Sequence, residues 1–312
     1  MDLVTLTDVR AAAGNIEGRV VRTPLIAAPW AGPLWLKPES LQPIGAFKLR
    51  GAYHAVASLP ADVQKNGVVA HSSGNHAQAL AYAARDYGIP CVIVMPDAAL
   101  PAKIAATRAL GAEVVLVGAT ERLTEAAAIA ADRGMSLIPP FDHPDVIAGQ
   151  GTVGLEILDD LAEVACVLVP VGGGGLASGV AAAVKALRPD VTVVGVEPEL
   201  AGDAAESFAA GELRQWPLEK TYRTIADGLR TNLSERTFAH LRTYVDEMLT
   251  VSEKQIEDAM GRIAVGSRLV AEPSGAVSVA GYLAHREVLP PGPAVAVISG
   301  GNVDPSVLAR VL

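Results

Sequence analysis

Short runs of β-branched residues alternate with longer alanine-rich segments of helical period along most of this chain. GVVAHSS leads into NHAQALAYAARDYG, CVIVMP precedes AKIAATRALG, EVVLVG precedes ERLTEAAAIAADRG, CVLVPVGGGG precedes LASGVAAAVKALRP, and VTVVGVEPE follows. Continuously apolar runs fit strands covered on both faces, and helix-length crossovers are what parallel strands need. The order predicts an α/β fold with mostly parallel sheets flanked by helices. In open sheets of this kind ligands sit beyond the carboxyl ends of the strands, so chemistry is expected in the turns that follow the apolar runs.

At 312 residues, half of them apolar, the chain can bury a sizeable core, and roughly 150 residues per domain points to two domains. The units before Pro139 differ in texture from those after Ala165, and PPFDHPDVIAGQG between them is rich in turn residues and reads as a connector. A discontinuous large domain is expected over residues 1–66 and 141–312, with a small mobile domain over 67–140. The 34 acidic residues outnumber the 25 basic ones and no basic run offsets them, which disfavours nucleic acid as a partner. Cys91 and Cys166 lie inside apolar runs and read as packed thiols of a reducing, cytoplasmic compartment. The N-terminal stretch lacks a basic segment followed by an apolar one, so no leader is expected. Val164 to Val184 is uncharged and long enough for a bilayer, but Pro170 and four glycines would break a spanning helix, so no membrane partner is expected either.

Four turns carry candidate chemistry. Gly172 to Gly175 follow one apolar run and open a helix, so successive backbone N–H groups converge where no Cβ blocks approach, a cradle for phosphate. A tight turn without ligand is the plainer alternative. The same glycines with Ala177 also fit G-x-G-x-x-A, and Glu197 ends the next strand 25 residues on, so a NAD-binding Rossmann protein is a rival of a different class. Lys48, after a Pro-Ile-Gly turn, stands at a helix start, where the dipole lowers its affinity for a proton and frees the amine for Schiff-base chemistry. Taken alone, such a lysine is more often a solvated surface residue. Ser72, Ser73, Gly74, Asn75 and His76 end one strand and open the next helix, where hydroxyls and free amides could hold a carboxylate and Asn75 could donate to a phenolic oxygen. Ser299, with Gly300, Gly301 and Asn302, ends the last apolar run and offers a neutral hydroxyl to a pyridine nitrogen, or is simply a Gly-rich strand terminus.

With these segments in hand, the chain resembles the fold-type II pyridoxal-phosphate enzymes, specifically the serine/threonine dehydratase and serine racemase group, over nearly its whole length. The motifs that carry the resemblance are KPESLQ at 37–42, GAFKLRGA at 45–52, SSGNH at 72–76, VIAGQG at 146–151, the glycines at 172–175, ADG at 226–228, EPSGA at 272–276 and SGGN at 299–302. The resemblance implies a tryptophan synthase β-like fold of two domains and a pyridoxal 5'-phosphate cofactor. It implies that Lys48 carries that cofactor and shuttles the α-proton, that Phe47 packs on its ring, that Asn75 bonds its phenolic oxygen, that Gly172, Gly173, Gly174 and Gly175 hold its phosphate, and that Ser299 faces its ring nitrogen. Ser72 to His76 would grip the substrate carboxylate. Ala46 departs from the family, many members having serine there, which bears on substrate preference.

The implied activity is β-elimination from L-threonine or L-serine, giving 2-oxobutanoate or pyruvate and ammonia. Serine racemase and 3-hydroxyaspartate dehydratase are the alternatives within the group, the former because Ser73 matches a serine that works as acid and base opposite the lysine. Glu197, the backbone carbonyl of Ala201 and Asp203 match a family site for Mg²⁺ or Ca²⁺. A cytoplasmic homodimer acting on a small-molecule amino acid is the remaining implication.

Overall fold

The computed structural model describes residues 2–99 and 101–312. Among these residues ten strands are present: β1 (Ile26–Ala27), β2 (Leu34–Pro38), β3 (Val68–His71), β4 (Cys91–Pro96), β5 (Glu113–Val117), β6 (Ser136–Leu137), β7 (Cys166–Pro170), β8 (Thr192–Pro198), β9 (Glu247–Val251) and β10 (Ala294–Ile298). They form a six-stranded sheet in the order β1-β2-β10-β7-β8-β9 and a four-stranded sheet in the order β5-β4-β3-β6. Among the described strands only the β1–β2 pair is antiparallel. The apolar runs occupy the sheet interiors as their composition requires: every residue of β7 and β10 is buried. Cys91 and Cys166 are buried free thiols, held well above the usual thiol range, at about 12, by that burial. Among the described residues no helix is long and apolar enough to cross a membrane.

The helix Lys48–Ala57 precedes the four-stranded sheet in sequence yet packs into its core, with Leu49, Tyr53 and Val56 beside Val68, Leu80 and Ile93. On its other side it meets the helix Pro144–Asp160. That second helix overturns the expectation of a connector through PPFDHPDVIAGQG. Its turn-like residues serve a helix start and a helix crossing. His143 caps the N-terminus, Pro144 takes the first position, and the glycines are needed for close approach. A Cβ at Gly149 would lie 2.6 Å from the Gly51 Cα, and one at Gly154 would lie 2.9 Å from the Val180 carbonyl oxygen.

A buried ionic cluster ties these parts together. Arg50, two residues beyond Lys48, donates to both carboxylate oxygens of Glu39 at 2.8 Å and to Glu156 at 2.6 Å. Lys37 donates to Glu156 at 2.6 Å and to the Thr23 carbonyl, and Thr23 and Gln42 complete the shell of Glu39. Arg50, Lys37 and Glu39 are all fully buried. Burial pushes the Glu39 carboxyl up, but Arg50 outweighs it and holds Glu39 below the usual carboxylate range; Lys37 is lowered, burial outweighing its two carboxylate neighbours. Deleting one member of such a cluster strands an uncompensated charge, so Arg50→Ala is expected to lower stability by about 3–5 kcal/mol. Urea unfolding followed by circular dichroism checks this; an unchanged midpoint would contradict it.

Candidate active site

The strand ends converge as parallel topology dictates. The backbone just before Lys48 is sewn to the end of β10: Phe47 N–H donates to the Ser299 carbonyl at 3.0 Å, and Ala46 bridges Gly300 in antiparallel fashion. Lys48 is the first residue of its helix. Its Nζ donates to the Pro140 carbonyl at 2.6 Å and lies 5.0 Å from the centre of the Phe47 ring. Burial lowers its pKa to about 8, which makes a neutral amine accessible near physiological pH. Desolvation, and not the helix dipole, is the cause of the lowering.

The next residue after Pro140, Phe141, lies against the glycine loop that follows β7. A Cβ on Gly173 would sit 2.6 Å from its ring, and one on Gly175 would sit 3.0 Å from its Cβ. Gly172 abuts Leu229, and Gly174, at φ +83°, opens the helix Gly175–Leu187 in a left-handed conformation without any side-chain cap. Among the described residues the N–H groups of Gly172 to Gly175 have no hydrogen-bond acceptor. A helix N-terminus with four free amides and no competing cap fits a phosphate monoester.

Ser299 is buried, and its Oγ makes only a long 3.4 Å contact with the Ser274 carbonyl. In the turn after β3, Ser72 N–H extends the ladder to Val94, Ser72 Oγ accepts from Gly74 N–H at 3.3 Å, and Ser73 Oγ has no hydrogen-bond partner among the described residues. Asn75 is drawn to the β10 terminus through Asn302, whose Nδ2 donates to Asn75 Oδ1 at 2.9 Å. His76 is different. Its ring is buried, Nε2 donates to the Ile138 carbonyl at 2.8 Å, and burial with the nearby Lys48 charge keeps it neutral with a pKa of about 3. The structure therefore brings Phe47, Lys48, Asn75, the four glycines and Ser299 to one place, with the Ser72–Gly74 turn beside them, and spends the His76 side chain on the backbone.

At the end of β8, Glu197 accepts from Ala204 N–H at 3.3 Å and Ala205 N–H at 2.7 Å. Its carboxylate is wholly buried and engaged, which removes it as a ribose ligand for a dinucleotide. Asp203, equally buried, has both carboxylate oxygens without a partner, and burial raises its pKa to about 7 and that of Glu197 well above the usual range.

Sequence reasoning gave no role to Pro140, Phe141, Glu272 or Asn302. Glu272 lay in view within EPSGA, since a glutamate before a helix-opening Pro-Ser-Gly is an uncommon cap. Phe141 left no signal beyond its place in an apparent connector.

A family model described as pyridoxal-phosphate dependent enzyme matches residues 16–300. The chain is a member of the pyridoxal-phosphate dependent enzyme family. Within it, the chain is 42% identical to an L-threonine ammonia-lyase of Thermotoga maritima over 99% of its own length and 78% of that protein. It is 40% identical to an L-threo-3-hydroxyaspartate ammonia-lyase of Saccharomyces cerevisiae, covering 97% of this chain and 95% of the other. The solved structure of maize serine racemase superposes with a TM-score of 0.94 at 35% identity, covering 99% of this chain and 97% of that one. Membership accounts for the two mostly parallel sheets flanked by helices.

Proposed function

We propose that the protein is a lyase that eliminates the β-hydroxyl and the amino group of L-threonine and L-serine, yielding 2-oxobutanoate or pyruvate and ammonia. The observation that carries this reading is the contact chain from Lys48 Nζ through Pro140 and Phe141 to Gly173, which links a desolvated amine to the loop of four free amides. The likeness to threonine and hydroxyaspartate ammonia-lyases supports it.

Bound pyridoxal phosphate supplies an electron-withdrawing ring conjugated to the substrate nitrogen, which acidifies the Cα–H. The chain does the rest. The amides of Gly172 to Gly175 would hold the phosphate, Phe47 would pack on the ring and Asn75 would donate to its hydroxyl. Lys48 Nζ, with a pKa of about 8, can take the Cα proton and return one. The Ser72–Gly74 turn would bind the substrate carboxylate through hydroxyl and backbone donors. Ser299 is neutral and cannot keep a proton on a ring nitrogen as a carboxylate would, which weakens the electron sink and favours prompt departure of the β-hydroxyl over transamination. The free hydroxyl of Ser73 supports a second reading, racemisation at the same site, with Ser73 opposite Lys48. One face of the four-stranded sheet packs on residues of 67–140 alone and the other shares a core with the Lys48–Ala57 helix; the 67–140 region is read as a small domain that moves over the substrate.

Borohydride reduction of the purified, visibly absorbing protein is expected to leave a pyridoxyl mass on Lys48; the adduct on another lysine, or on none, would contradict the proposal. Lys48→Ala is expected to lower 2-oxo acid release from threonine by at least about 1,000-fold. Serine, 3-hydroxyaspartate and D-serine formation, assayed alongside, rank the related activities.

The unpartnered Asp203 carboxylate would be the main ligand of a hard divalent cation; the lone pairs of Glu197 left over from its two backbone bonds and the Ala201 carbonyl would complete the oxygen set that the resemblance implies. Asp203 has a folded pKa above its unfolded value, so its contribution to stability is full at acid pH and is lost as pH rises through about 7. A cation competes with that proton. Mg²⁺ or Ca²⁺ is thus expected to raise the thermal midpoint more at pH 8 than at pH 6, and Asp203→Asn to abolish the response; an undiminished response in that variant would contradict the site.

A further inference from the structure

Glu272 is a buried carboxyl group beside Asn75 and Gly300 that the mechanism leaves without a role. It caps the helix Pro273–Ala284 by position, yet its side chain makes no cap bond and turns instead to Asn75, accepting from Nδ2 at 2.7 Å. The carboxylate runs so close to Gly300 that any Cβ there would collide with Glu272 Oε1 and lie 3.2 Å from Asn75 Nδ2. A side chain at position 300 would therefore have to displace the Glu272 carboxyl group. Glu272 N–H donates to the Gly300 carbonyl at 3.0 Å, which fixes the residue to the end of β10.

The Asn75 amide is held from both sides. Its Oδ1 accepts from Asn302 Nδ2 at 2.9 Å, and Asn302 is itself fixed by donating to the Ile44 carbonyl at 2.8 Å. A flip of the Asn75 amide would break both bonds and set its Nδ2 against the Asn302 Nδ2, donor facing donor. One N–H of Nδ2 remains uncommitted.

We infer that Glu272 is a positioning residue that, with Asn302, fixes the Asn75 amide so that its remaining N–H is presented to an aromatic hydroxyl, and that the proton state of Glu272 is felt there. The inference rests on the reading given under Proposed function and names the chain's own device for orienting Asn75. Burial raises the Glu272 pKa to about 8, and Asp227 adds to this; the Asn75 amide, Lys103 and the Asn302 backbone N–H oppose it. Lys103 and Asp227 pair with each other at 3.1 Å at a half-exposed position, so their effects on Glu272 partly cancel. Glu272 is thus largely protonated at neutral pH and ionises in the alkaline range, while its Oε1 accepts from Asn75 in either state.

The test uses full-length protein stripped of cofactor with hydroxylamine and titrated with pyridoxal phosphate alone, following the visible band. Glu272→Ala is expected to weaken the apparent affinity by about 10–100-fold, the size of effect seen when a partner that orients a ligand is lost. Glu272→Gln keeps an acceptor in place and is expected to restore most of that affinity. In the wild type the band is expected to change with a midpoint near 8, a transition missing in Glu272→Gln. Full affinity in the alanine variant, or the wild-type transition in the glutamine variant, would overturn the inference; should the alanine variant fail to fold, the glutamine titration decides. Absence of any Lys48-linked band in the wild type would instead refute the proposed function itself.

Discussion

Two buried cations and two carboxylates, Arg50 and Lys37 against Glu39 and Glu156, fix the geometry on which the site depends. Such a cluster is a poor source of net stability, because desolvation offsets most of the attraction. What it provides is register. Arg50 lies two residues past Lys48 on the same helix, Lys37 and Glu39 lie on and just after β2, and Glu156 lies on the helix that crosses from below. Any rotation or slide of the Lys48 helix would unpair buried charges, so the helix has one seat. The bonds from Phe47 N–H to the Ser299 carbonyl and from Gly301 N–H to the Gly45 carbonyl hold its start against the end of β10 in the same way.

Once that helix is seated, burial governs the electrostatics. Lys48 is brought down to about 8, His76 to about 3, and Glu272 up to about 8, each chiefly by exclusion from water. The result is a site poor in fixed charge, rich in amides and hydroxyls, and supplied with one amine that can exchange a proton near neutrality. Such surroundings suit an anionic phosphate at a helix start, and leave the hard electronic work to a bound cofactor.

Much of this was legible from sequence. The alternation of apolar runs and helical segments identified the parallel architecture, since a strand buried on both faces has no polar alternation, and the turns after those runs held Lys48, Asn75, the glycine loop and Ser299. What escaped did so for physical reasons. The 144–160 helix looked like a connector because its glycines answer to backbone contact with other helices, a relation between segments far apart in the chain. His76 was grouped with its neighbours by proximity, whereas helical geometry turns its ring inward to Ile138. The link between Glu272 and Asn75 spans 197 residues, and no local pattern reports a hydrogen bond at that separation.

The central claim is that Lys48 and the Gly172–Gly175 loop form one site for one molecule. A crystal structure of the protein grown with pyridoxal phosphate tests it most directly. Density running unbroken from Lys48 Nζ to a phosphate on the four glycine amides is the expected result. A phosphate bound elsewhere, with Lys48 still donating to the Pro140 carbonyl, would contradict it.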